Sequence, residues 1–257
     1  MKISIITINY NNAAGLEKTL NSVFNQTYQS YEHIVIDGGS TDGSKHIIET
    51  YGNKLSYWVS EKDHGIYNAM NKGIAKASGD YLQFLNSGDY LLDNLTLEKI
   101  ALYISKNNFD FYYSDVINSK TNLIHNYPVK LTFKYFFEYT INHQSIFFKK
   151  ELFDLFGTYN ESFKIVSDWE FILKILFLHN RTYCHIKQPI IYFDYEGLST
   201  SPKSVNLIQE ERSIVLKQYF SNLIPDFVFF KYVETSKTWL ILQKINKFRN
   251  WKKQRIY

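Results

Sequence analysis

The sequence predicts an α/β protein: a mostly parallel central sheet flanked by helices, followed by a helical appendage at the C-terminal end. Three observations lead there. From Met1 to Asp89, short apolar runs rich in Ile and Val alternate with stretches whose apolar residues recur every three or four positions. The runs end in turns rich in Asp, Asn, Ser and Gly, as strands of an open α/β sheet do at their ligand-binding ends. With 45% hydrophobic and 21% charged residues over 257 positions, the chain has the composition of a globular protein and the length to bury a sizeable core.

The chain opens on Lys2–Ile8, read as a buried first strand. Asn11 or Asn12 can cap the next helix, whose Leu16, Leu20, Val23 and Phe24 fall on one stripe. A second strand, Glu32–Ile36, ends in Asp37-Gly-Gly-Ser-Thr-Asp-Gly-Ser44, a turn and helix start ahead of Ile47, Ile48 and Tyr51. Leu55–Val59 is a third strand. It feeds the polar loop Glu61-Lys-Asp-His-Gly65 and a helix whose Ile66, Met70, Ile74 and Ala77 share a face. Gly79 is expected to end that helix in the left-handed conformation. Asp80–Leu85 is a short buried strand, and the turn Asn86-Ser-Gly-Asp89 leaves a carboxylate at its C-terminal end. Alternation of this kind means a parallel sheet with right-handed crossovers.

Beyond Asp89 the pattern loosens. A helix is predicted over Leu95–Ser105, strands over Phe109–Ser114 and Gln144–Phe148, and a short helix over Glu151–Phe156. The aromatic stretch 116–142 reads as irregular chain lining a substrate opening. Ser167-Asp-Trp-Glu170 has the spacing of a capping box, with Ser167 as N-cap and Asp168 in the first turn. The helix behind it, Phe171–Leu178, is apolar almost all round and should be buried. A strand over Pro189–Phe193, the loop Gly197–Pro202 and two helices, 204–220 and 226–250, complete the chain.

Composition narrows the setting. With one cysteine, Cys184, no internal disulfide can form, which points to a reducing, cytoplasmic compartment. The N-terminal apolar run is too short for a secretory signal, and none approaches the ~18 apolar residues that span a bilayer. The formal charge of +4 is uneven, because residues 231–257 carry eight Lys or Arg and one Glu. There Trp239, Ile245, Phe248 and Trp251 interleave with Lys244, Lys247, Arg249 and Lys252. Such a helix can lie on an anionic bilayer surface, and can equally pack on the body with its charges in water. No nucleic-acid module accompanies the basic run, so nucleic acid is not an expected partner. The aromatic share of 18% reads chiefly as core filling.

Four pieces together, Ile5-Ile-Thr-Ile-Asn-Tyr-Asn11, Asp37–Ser44, Glu61–Asp89 and Ser167–Glu170, resemble the inverting family 2 glycosyltransferases of the GT-A fold. Within that family the resemblance is to the bacterial group that builds O-antigen, capsule and colanic-acid repeat units. It covers residues 1–200 and implies a glycosyltransferase domain over 1–203, with 1–90 as the nucleotide-binding half and 91–203 as the acceptor half. Residues 204–257 form the appendage. The resemblance further implies a UDP-sugar donor, Mg²⁺ or Mn²⁺, and a saccharide acceptor carried on a polyprenyl diphosphate.

Roles follow residue by residue from the resemblance. Thr7, Tyr10 and Asp37 would form the base pocket, with the Tyr10 ring on the base and Asp37 accepting from uracil N3–H, which cytosine lacks. The same Asp37-Gly-Gly letters also suit a plain tight turn. Glu61, Asp63, Gly65 and Asn71 would hold the ribose and diphosphate. Asp89 stands in the family's two-acid metal motif, with Gly88 where the first acid belongs, so one obvious protein ligand remains. Asp168 would be the base that takes the proton of the acceptor hydroxyl, although a helix N-terminus favours an acid there for electrostatic reasons as well. His143 falls on the acceptor side. A sugar-1-phosphate nucleotidyltransferase would need a glycine-rich basic loop after the first strand, and a dinucleotide dehydrogenase a G-x-G-x-x-G; neither is present. A binding module that kept the fold and lost the chemistry remains the alternative, with Gly88 as its foothold.

Overall fold

The computed structural model describes residues 1–195 and 197–236. In chain order these form β1 (Ile3–Asn9), α1 (Ala13–Phe24), β2 (Tyr31–Asp37), α2 (Ser44–Tyr51), β3 (Tyr57–Ser60), α3 (Ile66–Lys76) and β4 (Tyr81–Phe84). There follow β5 (Tyr90–Leu91), α4 (Thr96–Lys106), β6 (Phe111–Asn118), β7 (Ile124–His125), α5 (Phe133–Glu138), β8 (Ile146–Lys149) and α6 (Glu151–Phe156). The last are α7 (Ser167–Leu173), β9 (Tyr183–Phe193), α8 (Val205–Phe220) and α9 (Ile224–Thr235). The chain divides into two compact units, residues 1–208 and 209–257. The sheet and both cavities described below belong to the first.

The strands run in the order β3-β2-β1-β4-β8-β6-β9-β5, with β7 paired to β6. The first four are mutually parallel, as strand–helix alternation requires. Beyond β4 the sheet becomes mixed: β8 is antiparallel to both β4 and β6, β9 is parallel to β6, and β5 is antiparallel to β9. All seven residues of β1 are buried, which is why that strand reads as a continuous Ile-rich run rather than an alternation. Leu16 and Leu20 of α1, Val35 of β2 and Ile48 of α2 form one buried cluster, with Phe24, Tyr51 and Trp58 packed on it. Asn12, not Asn11, caps α1, its Oδ1 accepting from Gly15 N at 3.1 Å.

A second core is aromatic. Phe84, Phe148, Phe153, Tyr159 and Phe171 meet ring against ring, Phe153 and Phe171 stacking at 4.5 Å. Each such side chain removed from water stabilises the fold by roughly 2–3 kcal/mol, and this cluster backs the helix that carries Asp168.

Four expectations are corrected. Gly79 does not end α3, which stops at Lys76 with Ala77 extended. It is glycine because a Cβ would sit 2.6 Å from Ser4 Oγ, so β1 itself excludes a side chain. Ser167 is not an N-cap: α7 begins on it, Val166 precedes it, and its Oγ accepts from Asn160 N at 2.6 Å, tying down the preceding loop. The stretch 116–142 is not an irregular rim. It holds the end of β6, β7 and α5, and its Tyr127, Leu131, Phe136 and Ile141 are buried. The last helix does not run to residue 250, because Ser236 is extended and ends α9. The aromatic–basic stretch beyond it, 237–257, lies outside the described residues. Among the described residues no helix is long and apolar enough to cross a membrane.

Candidate active site

Two cavities open at the C-terminal ends of β1, β2 and β4. The first, about 420 Å³, is walled by Tyr10, Asn86, Asp89, His143, Asp168 and Asp194, with Tyr67, Gln144 and Lys164 among its other neighbours. The second, about 740 Å³, is walled by Tyr10, Gly38, Gly39, Lys62, Asp63 and Gly65. Tyr10, Ile66, Asn86 and Ser87 line both, so the two are adjoining parts of one cleft. Neither is lined by any residue of 116–142.

Asp168 sits in the first turn of α7, where Trp169 fixes the helix by donating from Nε1 to Phe136 O at 2.9 Å. Both carboxylate oxygens of Asp168 are engaged: Tyr67 donates its hydroxyl to Oδ1 at 2.8 Å, and His143 Nδ1 lies 2.8 Å from Oδ2. Burial alone would raise the Asp168 pKa, but the bonds from His143 and Tyr67 outweigh it and hold the carboxyl below the usual range. The group is therefore an ionised acceptor at neutral pH.

Asp89 is set by the turn after β4. Gly88 takes φ +104° there, a conformation L side chains rarely adopt. Asp89 is 3% exposed and accepts from Asp194 N at 2.8 Å. Burial pushes its pKa up to about 7, against the opposing hydrogen bond from Asp194 N. Asp194 closes β9, and a Cβ on Gly88 would lie 3.1 Å from its Oδ2. A second carboxylate, from a strand 105 residues away, thus stands beside the position where the expected metal motif lacks its first acid.

Of the residues expected in the site, the structure brings Tyr10, Asp63, Gly65, Asp89, His143 and Asp168 to the cleft wall. Four others line neither cavity. Thr7 is fully buried, its hydroxyl 2.9 Å from His33 Nε2. Asp37 is fully buried too, accepting from Asn9 Nδ2, Ser40 N, Ser40 Oγ and Ser60 Oγ at 2.5 to 3.0 Å. Burial would raise its pKa, and these donors more than offset that. Its hydrogen bonds organise the turn. Glu61 pairs with the Lys72 ammonium at 2.6 Å. Asn71 spends its amide on Tyr159 N, Tyr159 O and Glu161, pinning the loop before α7. His143 is not free to hold an acceptor by its ring nitrogens, since Asp168 and Asn86 occupy both.

Sequence reasoning missed Tyr67, Asn86 and Asp194. For Asp194 a signal existed, an acid closing a strand just as Asp89 does. For Tyr67, one of 21 tyrosines, spacing offered none. Among the described residues no group of three or more His, Cys, Asp or Glu is arranged to hold a metal ion.

Comparison with known proteins agrees with this architecture. The chain is 34% identical over 175 residues to a PGL/p-HBAD biosynthesis glycosyltransferase of Mycobacterium tuberculosis, covering 66% of this chain and 68% of that protein. It is 30% identical to the cholesterol galactosyltransferase of Borreliella burgdorferi, over 75% of this chain and 52% of that one. These named relatives widen the resemblance beyond the O-antigen and colanic-acid group. Among solved structures, residues 1–349 of S. aureus TarS in complex with UDP-GlcNAc superpose with a TM-score of 0.67 at 23% identity, over 79% of this chain and 61% of that one. The chain covers 37% of the longer TarS structure. A Pyrobaculum calidifontis mannosyltransferase in complex with GDP-Man and Mn²⁺ superposes with a TM-score of 0.59 at 17% identity, over 87% of this chain and 64% of that one. Both share the fold. Residues 4–162 match the family described as Glycosyl transferase family 2, and the chain belongs to it.

Proposed function

We propose that the chain is a metal-dependent inverting glycosyltransferase that moves a sugar from a UDP-sugar to a hydroxyl of a lipid-linked saccharide. The observation that carries this reading is that Asp168 and Asp89 line one cavity, which adjoins a second with room for a nucleoside. Every residue lining that second cavity comes from the first 90 positions, which supports a nucleotide-binding half. Tyr10, 67% exposed, offers its ring as a stacking surface for the base. Asp63 takes over the role expected of Asp37: its carboxylate approaches Gly38 so closely that a Cβ there would meet Oδ2 at 2.5 Å. A carboxylate there can accept from uracil N3–H and cannot pair with the bare N3 of cytosine.

In the transfer, the acceptor oxygen bonds to the anomeric carbon as the bond from that carbon to the diphosphate oxygen breaks. Its proton passes to Asp168, and the electron pair leaves with UDP. The donor set suits a hard cation such as Mg²⁺ or Mn²⁺: Asp89 and Asp194 supply carboxylate oxygens, and Asn86 Oδ1 is buried without a hydrogen-bond partner. When bound, the ion would neutralise the charge developing on the diphosphate. Two acids are enough when phosphate oxygens and water complete the coordination. A polyprenyl-diphosphate-linked acceptor, reached by attachment of the basic stretch 231–257 to the membrane surface, completes the proposal.

The test is a panel of UDP-, GDP- and dTDP-sugars with Mn²⁺, scored by thermal shift and then by turnover. The UDP-sugars should stabilise and turn over. Asp168→Asn should keep donor binding and lose at least about 100-fold in turnover, the usual worth of a positioned base. Normal turnover by that variant would refute the base assignment.

A further inference from the structure

We propose that His143 and Tyr67 are positioning residues that clamp the base in one orientation. This rests on the reading of Asp168 as the base. Asn86 Nδ2 lies 3.1 Å from His143 Nε2. Nδ1 of the same ring lies 2.8 Å from Asp168 Oδ2, and an ionised carboxylate only accepts, so Nδ1 donates. Tyr67 donates to the other oxygen at 2.8 Å.

The two donors come from separate elements. Tyr67 is in the first turn of α3 and 3% exposed; His143 is in the helical turn ahead of β8, its side chain 12% exposed. Rotating the carboxylate would break both bonds at once, so its orientation toward the cavity is fixed. Asn86, in the same turn as Asp89, holds the far side of the ring, so the acid–base side and the leaving-group side of the reaction are joined through one imidazole.

The test on the full chain is hydrolysis of UDP-N-acetylglucosamine, UDP-glucose and UDP-galactose, with water as acceptor, on whichever donor turns over. A residue that only binds a saccharide acceptor does not affect transfer to water, whereas one that aims the base does. His143→Ala should lower kcat at least about tenfold, the donor KM staying within twofold. His143→Asn, whose amide nitrogen can stand in for Nδ1, should restore most of it. Unchanged hydrolysis in His143→Ala overturns the positioning role alone. Unchanged hydrolysis in Asp168→Asn overturns the base reading and this inference with it.

Discussion

A carboxylate acts according to the groups that surround it, and the cleft holds two with opposite settings. Asp168 is held ionised by donors 101 and 25 residues away in sequence, whereas Asp89, buried with fewer donors, is pushed toward protonation. An acid of the second kind gains most from a cation, which replaces the lost hydration with charge. Asp194 extends the argument, since it stands where Gly88 cannot supply an oxygen. If both acids share the cation, Asp194→Asn should weaken Mn²⁺-dependent UDP binding about tenfold, or about 1.4 kcal/mol, and leave the melting temperature in EDTA unchanged. Thermal shift titrated with Mn²⁺ at fixed UDP reads this directly. An unaltered Mn²⁺ midpoint would leave Asp89 as the single acid ligand.

At the scale of elements, the start of the sheet is knotted by an acid that no motif flagged. Glu32 of β2 accepts from Lys2 Nζ at 2.6 Å, Ser4 Oγ at 2.6 Å, Ser78 N at 2.5 Å and Gly79 N at 3.1 Å, joining β1, β2 and the α3–β4 connection. Burial would raise its pKa, but the Lys2 ammonium and the serine donors hold it at about 2, below the usual 4.5 of a glutamate. A folded pKa below the unfolded one means the stabilisation is complete above the unfolded value and is lost as pH falls through the folded one. Glu32→Gln should therefore cost about 2 kcal/mol at pH 7, as loss of hydrogen bonds to a buried charge does. The gap to the wild type should close between pH 4.5 and about 2. Urea melts at a series of pH values test this, and a gap independent of pH would show that Glu32 contributes packing rather than charge.

For the whole molecule, legibility follows how local each determinant is. The stripes of α1 and α3, the Ile run of β1 and the acid after β4 were readable because helix period, strand burial and turn chemistry act within a few residues. Beyond Asp89 strand order was not readable, since β8 runs opposite to β4 and β6 while β9 passes parallel beside β6, pairings that no spacing encodes. The same applies to the site. Asp168 and Asp89 stand in motifs, but Tyr67, Asn86 and Asp194 reach the cleft only because the fold brings separate elements together, and two of the four donors on Asp37, those of Asn9 and Ser60, come from neighbouring strands that its motif does not name.

The charge distribution also belongs to this scale. The body is acidic on balance, while residues 231–257 hold eight basic residues against one Glu, interleaved with Trp and Phe. An anionic bilayer attracts each Lys or Arg near its surface by about 1 kcal/mol, with the attraction falling off over a Debye length. The full chain should therefore sediment with vesicles containing phosphatidylglycerol and stay in solution with purely zwitterionic ones, and 0.5 M salt should release most of it, at about three times the physiological ionic strength. Replacing Lys244, Lys247, Arg249, Lys252, Lys253 and Arg255 by Gln should weaken vesicle binding by at least about 100-fold, while hydrolysis of a soluble UDP-sugar continues at the wild-type rate. Vesicle binding that survives both the salt and the six substitutions would locate the attachment elsewhere and remove the basic stretch from the account of how a lipid-linked acceptor is reached.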